Sequence, residues 1–400
     1  MKAVYMGLGY IGLPSAALTA SYGIEVVGVD TNPDVVNIVN QGKAHFFEPD
    51  LDRMVKAVVS KGQLRAASIP EEAAAFFIVV PTPFKENHLA DTSYVESAIR
   101  MIIPCLREGN LVVIESTVPV LTTERMAAVI FGERPELQGK IFIAYCPERV
   151  LPGNILYELE HNDRVIGGLD PESADRGADF FARFVRGALH KTNARTAEIC
   201  KLAENASRDV MIAFVNELSL ICDRIGVNAW DLIDLANKHP RVNLLQPGCG
   251  VGGHCIAVDP WFLVADFPAE TRLIKQARLT NDYKTDWCTD KVLNLCSQVF
   301  KKTGKKPVVA CMGLTFKPDI DDLRESPAIF ITKRIIAESD AEVLISEPNI
   351  ENHPVFRLTP YEEAYKKADI VVWLVRHKAF LRMPSDTGKT EIDFCGVRRY

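Results

Sequence analysis

No stretch of the 400-residue chain is apolar for long enough to cross a bilayer, a span of about 20 residues. The first apolar run starts at Lys2 and reads as a strand, so neither a signal peptide nor a membrane partner is expected. Basic charge is in deficit. Lys and Arg number 46 against 52 Asp and Glu, a net charge of −6, which argues against nucleic acid or an anionic membrane as the main partner. Phosphate groups must then be met by helix ends and single basic side chains. The ten cysteines lack metal-type pairing and small-scaffold density, which suits reduced thiols and a cytoplasmic location. Low-complexity tracts are missing too. What remains is a soluble globular composition, 48% hydrophobic and 24% charged, in a chain too long for one core, so two or three domains are expected.

The amino-terminal run Lys2 to Met6 leads into Gly7-Leu8-Gly9-Tyr10-Ile11-Gly12, and Pro14 to Tyr22 reads as a helix. A second run, Glu25 to Val29, ends in Asp30. In a dinucleotide fold Gly7 makes the tight turn, Gly9 lets the backbone approach a pyrophosphate, Gly12 lets helix and strand pack, and Asp30 accepts from the ribose hydroxyls. Asp30 would repel a 2′-phosphate and no arginine follows closely, so NAD is expected rather than NADP. Further strand-like runs at Phe76 to Val80, Leu111 to Glu115 and Ile141 to Tyr145 meet Pro81-Thr82-Pro83, Ser116-Thr117-Val118-Pro119 and Cys146-Pro147-Glu148-Arg149. In a parallel doubly wound sheet these loops face the crevice that Gly9 faces.

From Thr196 to about Ile225 apolar residues recur at helical spacing without proline or glycine, which predicts one long helix with Lys201 and Asn205 on one face. A further helix covers Glu270 to about Lys302, and a linker covers 301–307. Three more strand-like runs, Val308 to Met312, Glu342 to Ile345 and Ile370 to Leu374, predict a second small α/β domain without the triple-glycine turn. The expected architecture is therefore two Rossmann-like α/β domains joined by a helical one: 1–195, 196–302 and 303–400.

The stretch Gln246 to Cys255 holds four glycines in six positions, Gly248 to Gly253, and delivers one thiol, Cys255, at its end. A buried inert cysteine on a tight turn is the ordinary alternative. Beside a nicotinamide-type fingerprint, a presented thiol points to aldehyde oxidation through a thioester. A metal site of Cys249, His254 and Cys255 is disfavoured, because the six-residue loop offers poor tetrahedral spacing and no fourth ligand. A two-electron hydroxyacid dehydrogenase would share the first domain and the helices, yet would need neither Cys255 nor the last domain.

Taken in order, Gly7 to Gly12, Thr117, Pro147-Glu148-Arg149, Lys201 with Asn205, Gly252-Gly253-His254-Cys255 with Asp259, and Lys317 to Pro327 resemble the UDP-glucose and GDP-mannose dehydrogenase family, over nearly the whole chain. The segment from Asn237 to Asn243 with Gly250 to Trp261 is most similar to members acting on UDP-N-acetyl-D-mannosamine. UDP-N-acetylglucosamine, UDP-N-acetylgalactosamine and UDP-glucose stay open as substrates. The resemblance implies a four-electron oxidation with two NAD, a homodimer, Cys255 as nucleophile, Lys201 and Asn205 at the oxyanion, and Asp259, Glu148 and Thr117 around a water. It also implies that Gly7, Gly9, Tyr10, Ile11, Gly12, Asp30, Pro81, Thr82, Thr117 and Arg324 meet the cofactor. Glu148, Arg149, Val150, Lys201, Asn205, Asn243, Gly248, Gly250, Gly252, Gly253 and Lys317 meet the UDP-sugar by the same resemblance, and Arg241 reaches it from the other subunit. Leu121 stands where the family has glycine, and Cys249 where the nearest relatives have proline, a second thiol that raises the possibility of oxidative inactivation.

Overall fold

The computed structural model describes residues 1–85, 88–385 and 388–399. Two units divide the chain, Met1–Ala203 and a second from Glu204 onward. The first is built on eight strands: β1 (Lys2–Met6), β2 (Glu25–Val29), β3 (Leu64–Ala67), β4 (Ala75–Ile78), β5 (Leu111–Ile114), β6 (Phe142–Tyr145), β7 (Arg164–Gly168) and β8 (Leu189–Asn193). Their order is β3-β2-β1-β4-β5-β6-β7-β8, which reverses direction of progress beside β1, the switch point of a doubly wound sheet. Burial on both faces explains the near-continuous apolar strands: Ala3 and Tyr5 of β1 enter one core, Val4 and Met6 the other, and all four residues of β4 are buried. Each large apolar side chain so buried contributes about 1.5–3 kcal/mol.

One expectation needs correcting. The sheet is not wholly parallel, because β7 runs antiparallel to β6. The only helix between them, Ile155–His161, has seven residues. At about 1.5 Å per residue it is too short to carry the chain back along the sheet, so the chain turns round where it left.

The helix Ala194–Ile225 runs 32 residues without interruption and leads from the first unit into the second. Helices Ala229–Ala236, Asp259–Asp266 and Arg272–Thr303 follow, the last closed by Gly304 in the left-handed region with Lys301 and Lys302 in its final turn. A four-stranded parallel sheet completes the second unit: β9 (Val308–Met312), β10 (Glu342–Ser346), β11 (Ile370–Trp373) and β12 (Thr390–Asp393), in the order β10-β9-β11-β12. Among the described residues no helix is long and apolar enough to cross a membrane.

The second sheet repeats the turn geometry of the first. Gly7 has φ 97° and donates to Val29 O at 2.7 Å; Gly313 has φ 100° and donates to Ser346 O at 2.8 Å. After each glycine a buried leucine offers its N–H to an acid at the end of the adjacent strand, Leu8 to Asp30 at 2.9 Å and Leu314 to Glu347 at 2.7 Å. The two differ in what becomes of the acid. Asp30 is half-buried, whereas Glu347 is buried and also bonded to His377.

Candidate active site

In the first unit the carboxyl ends of β1, β2, β4, β5 and β6 share one sheet edge, since these strands are parallel neighbours. That edge carries Gly7, Gly9, Tyr10, Ile11, Gly12, Asp30, Pro81, Thr82, Thr117, Glu148, Arg149 and Val150. The three glycines have different reasons to be there. A Cβ on Gly12 would lie 1.9 Å from Gly7 O and one on Gly7 2.6 Å from Val79 O, but one on Gly9 would meet nothing within 4 Å. Space kept clear at Gly9 without any packing need fits a ligand's close approach. Asp30 accepts from the Leu8 and Asn32 amides, one on each oxygen, which leaves each oxygen a lone pair for a ribose hydroxyl. Tyr10 stacks on Phe46 at 4.6 Å. The neighbouring loops are tied together: Thr82 Oγ1 donates to Thr117 O at 2.6 Å and Ser116 Oγ to Val80 O at 2.7 Å.

Lys201, 6% exposed, extends its Nζ to Glu148, 2.8 Å from the carbonyl and 3.2 Å from Oε1. Three residues earlier on the same helix, Glu198 is fully buried and accepts from Leu121 N, Thr123 N and Thr123 Oγ1 at 2.6 to 2.7 Å. The long helix therefore fixes both the loop after Thr117 and the loop at Glu148. Leu121 occupies its glycine-type position with φ 72°, and Glu198 anchors its amide there.

In the second unit Asn205 Nδ2 donates to Asp259 Oδ2 at 2.6 Å. Asp259 is buried at the start of its helix, and its amide donates to Cys255 O at 2.8 Å, so the carboxylate and the thiol-bearing residue share one turn. Cys255 is exposed at the end of the glycine loop. The loop is seated on the segment after β9: Gly253 N donates to Arg324 O at 3.0 Å, and Cβ atoms on Gly252 or Gly253 would collide with Phe316. Gly250 would meet Thr285 Oγ1, whereas Gly248, like Gly9, faces open space. Burial and the nearby Arg324 push the His254 pKa down. Lys317 is exposed on the same segment. Arg324, which the resemblance assigns to the cofactor, is exposed and paired with Asp322, Nη2 to Oδ2 at 2.6 Å. Arg241 and Asn243 lie exposed beyond helix Ala229–Ala236.

Cys249 proves to be a core thiol. It is buried, donates to Leu374 O at 3.3 Å, and its pKa is pushed up by the neighbouring Cys288 and by burial. Its chemistry is that of a small hydrophobe. Among the described residues no cluster of three or more His, Cys, Asp or Glu side chains is placed to hold a metal ion.

Sequence reasoning missed the residues that hold these loops. Glu48, buried, accepts from Gly153 N and Ile155 N, and so secures the segment after Val150. A buried chain of bonds runs from Arg278 to Asp209 (2.7 Å), to Asn281 (2.8 Å), to Asn216 (2.9 Å) and to Gly248 N (3.0 Å). For Asp209, Asn216 and Asn281 an acid or amide at a helical core position is the trace in the sequence, whereas Glu48 lies in a loop and leaves none.

A glycine turn and ribose-type acid on a doubly wound sheet, in a chain that also presents a thiol from a glycine loop, define a dinucleotide-dependent oxidoreductase. Residues 1–185, 195–283 and 310–394 match the NAD binding, central and UDP binding domains of the UDP-glucose/GDP-mannose dehydrogenase family, and the chain belongs to that family. It is 48% identical over 410 residues to the UDP-N-acetyl-D-mannosamine dehydrogenase of Campylobacter jejuni, covering 98% of this chain and 99% of that one. It is 52% identical over 393 residues to the NDP-N-acetyl-D-galactosaminuronic acid dehydrogenase of Ralstonia nicotianae, with 95% and 92% covered. Among solved structures, the UDP-D-ManNAc dehydrogenase of Pyrococcus horikoshii is similar at a TM-score of 0.88 and 36% identity, with 99% and 96% covered.

Proposed function

We propose that this chain oxidises the C6 alcohol of UDP-N-acetyl-D-mannosamine to the carboxylate, with one water and two NAD consumed per sugar, for surface polysaccharide synthesis. The observation that carries the reading is the exposed thiol of Cys255 in a chain with an NAD-binding domain. A nicotinamide cofactor, when bound, accepts hydride; a thiol is needed only if oxidation continues past the aldehyde. The alcohol first loses a hydride and a proton, the proton through a water held by Asp259 and Glu148 with Thr117 beside it. The Cys255 thiolate then forms a C–S bond to the aldehyde carbon, and Lys201 and Asn205 hold the oxyanion, about 3 kcal/mol of barrier per donor. Loss of the second hydride leaves a thioester. Water adds, the C–S bond breaks, the thiolate leaves, and in all two hydrides and three protons are released. Lys317 and the backbone at Gly248 to Gly253 receive the UDP-sugar, while Gly9 and Asp30 receive the cofactor.

The protein works as a cytoplasmic homodimer in this reading. Phe214, Ile221 and Ile225 are 53%, 51% and 65% exposed and follow one another at helical spacing on Ala194–Ile225, a stripe suited to a second copy of the same helix. Arg241 then serves the partner's substrate. A second reading, the galacto epimer, is favoured by the similar identity of the Ralstonia relative.

Purified protein incubated with NAD and, separately, the manno, gluco and galacto UDP-N-acetyl sugars separates these readings. Two NADH per sugar with the manno compound alone is the expected result; one NADH per sugar would overturn the thioester route. Cys255→Ser should retain NAD affinity and lose all formation of acid.

A further inference from the structure

His377 is fully buried in the second unit, and no step above uses it. It sits just beyond β11, and both of its ring nitrogens touch the segment after β9 and the segment after β10. Nδ1 lies 3.0 Å from the backbone N–H of Asp319, a group that can only donate, so Nδ1 is an acceptor. The proton must therefore be on Nε2, which donates to Glu347 Oε2 at 3.0 Å. Asn349 Nδ2, 2.8 Å from Nδ1, is a second donor to the same lone pair. The tautomer thus follows from one amide.

Glu347 collects the other end. Oε2 also accepts from Leu314 N at 2.7 Å and Thr315 N at 3.1 Å, and Oε1 from Asn349 N at 3.0 Å. Burial would raise its pKa, yet the bonds from His377 and these amides hold it below the usual carboxylate value. Every one of those amides belongs to a turn at the edge where Lys317 stands. Asp319 itself has φ 59°, a left-handed conformation that Asp adopts more readily than most residues, and its Oδ1 accepts from Lys378 N at 2.9 Å. Thr315 Oγ1 adds a bond to Lys317 O at 2.9 Å. Residues 314 to 319 are held at one end by Glu347 and at the other by His377 Nδ1 and Lys378 N, and the imidazole bonds to both ends through Glu347 and Asp319.

Phe316, inside that pinned stretch, is the surface on which Gly252 and Gly253 rest, two residues before Cys255. We infer that His377, through Glu347 and Asp319, is a positioning residue: it sets the Thr315–Asp319 turn that presents Lys317 to the nucleotide and seats the loop carrying Cys255. The inference rests on the proposed binding of UDP by this segment, and it adds the residue on which the geometry depends. Phenylalanine fits the space but supplies neither bond, and glutamine supplies a donor and an acceptor.

The test is calorimetric binding of UDP alone to the full-length protein and its variants, with the KM for NAD, the KM for UDP-sugar and the melting temperature measured in parallel. His377→Phe should weaken UDP binding about ten-fold, as Lys317→Ala should, and raise the sugar KM while leaving the KM for NAD unchanged; His377→Gln should restore most of the loss. If His377→Phe does not fold, Asn349→Ala removes one donor to Nδ1 and should shift UDP binding in the same direction, by about three-fold. Unchanged UDP affinity in the folded His377→Phe or Asn349→Ala protein, with Lys317→Ala still weakened, would overturn the positioning role. Equal loss of NAD and UDP binding would overturn it as well, since only a general loosening moves both. Wild-type affinity in Lys317→Ala would instead remove the underlying assignment of this segment to UDP.

Discussion

Leu121 is a residue out of place in its own backbone. At φ 72° its Cβ crowds the following carbonyl, a strain of about 1–2 kcal/mol that glycine would not carry. The side chain is 41% exposed, so little packing offsets it. Leu121→Gly should stabilise the protein by about 0.5–1 kcal/mol in denaturant unfolding, after glycine's greater unfolded-state entropy is subtracted. Glu115 stores a different strain. It lies just beyond β5 with both carboxylate oxygens buried and without hydrogen-bond partners, and burial lifts its pKa from 4.5 to about 7 against the opposing pull of Arg164. A folded pKa above the unfolded one stabilises below the unfolded value, and that contribution is lost as pH rises through about 7. Glu115→Gln removes the titration, so the stability of the variant minus that of wild type should climb by about 3 kcal/mol between pH 4 and pH 8. A flat difference across that range would mean that Glu115 is not titrating as a buried acid.

At the scale of elements, the buried path from Arg278 to Gly248 N shows how the helices aim the glycine loop. Asp209 and Arg278 are almost wholly withdrawn from water, and removing one partner of such a pair costs about 3–5 kcal/mol. Arg278→Met should show that loss by urea unfolding, with part of it recovered in the Arg278→Met, Asp209→Asn double variant. Asn216→Ala acts nearer the loop: it strips Gly248 N of its acceptor and should raise the sugar KM about 5- to 30-fold with the KM for NAD unchanged. None of this was readable beforehand, and the reason is physical. Gly7, Gly12 and Asp30 announce themselves because their chemistry is local to one turn, and the long helix because its apolar period is sustained. Asn216 and Asn281 are 65 residues apart and meet only after two helices have packed. The strands β7 and β8 escaped for a related reason: each is a short run carrying polar or glycine residues, and β8 has no buried residue to give it a pattern. The pairing of Arg324 with Asp322 was equally hidden, since two residues of opposite charge two apart in a loop face each other only in a particular turn.

At the scale of the whole molecule, the proposed dimer turns on two observations in the second unit: the exposed apolar stripe on the long helix, and Arg241 exposed beyond helix Ala229–Ala236. Ile221→Glu places a charge in the stripe and should give a monomer by light scattering with activity that falls on dilution. The assignment of Arg241 has a sharper consequence. Arg241→Ala and Cys255→Ser should each be inactive as homodimers. In a mixed dimer, a site that draws its thiol from one subunit and its arginine from the other meets both lesions in one site and neither in the second. Refolding equal amounts of the two together should therefore recover about a quarter of wild-type activity, because half of the dimers are mixed and each has one intact site. An arginine that served its own subunit would leave one lesion in every site, and the mixture would stay as inactive as its parents.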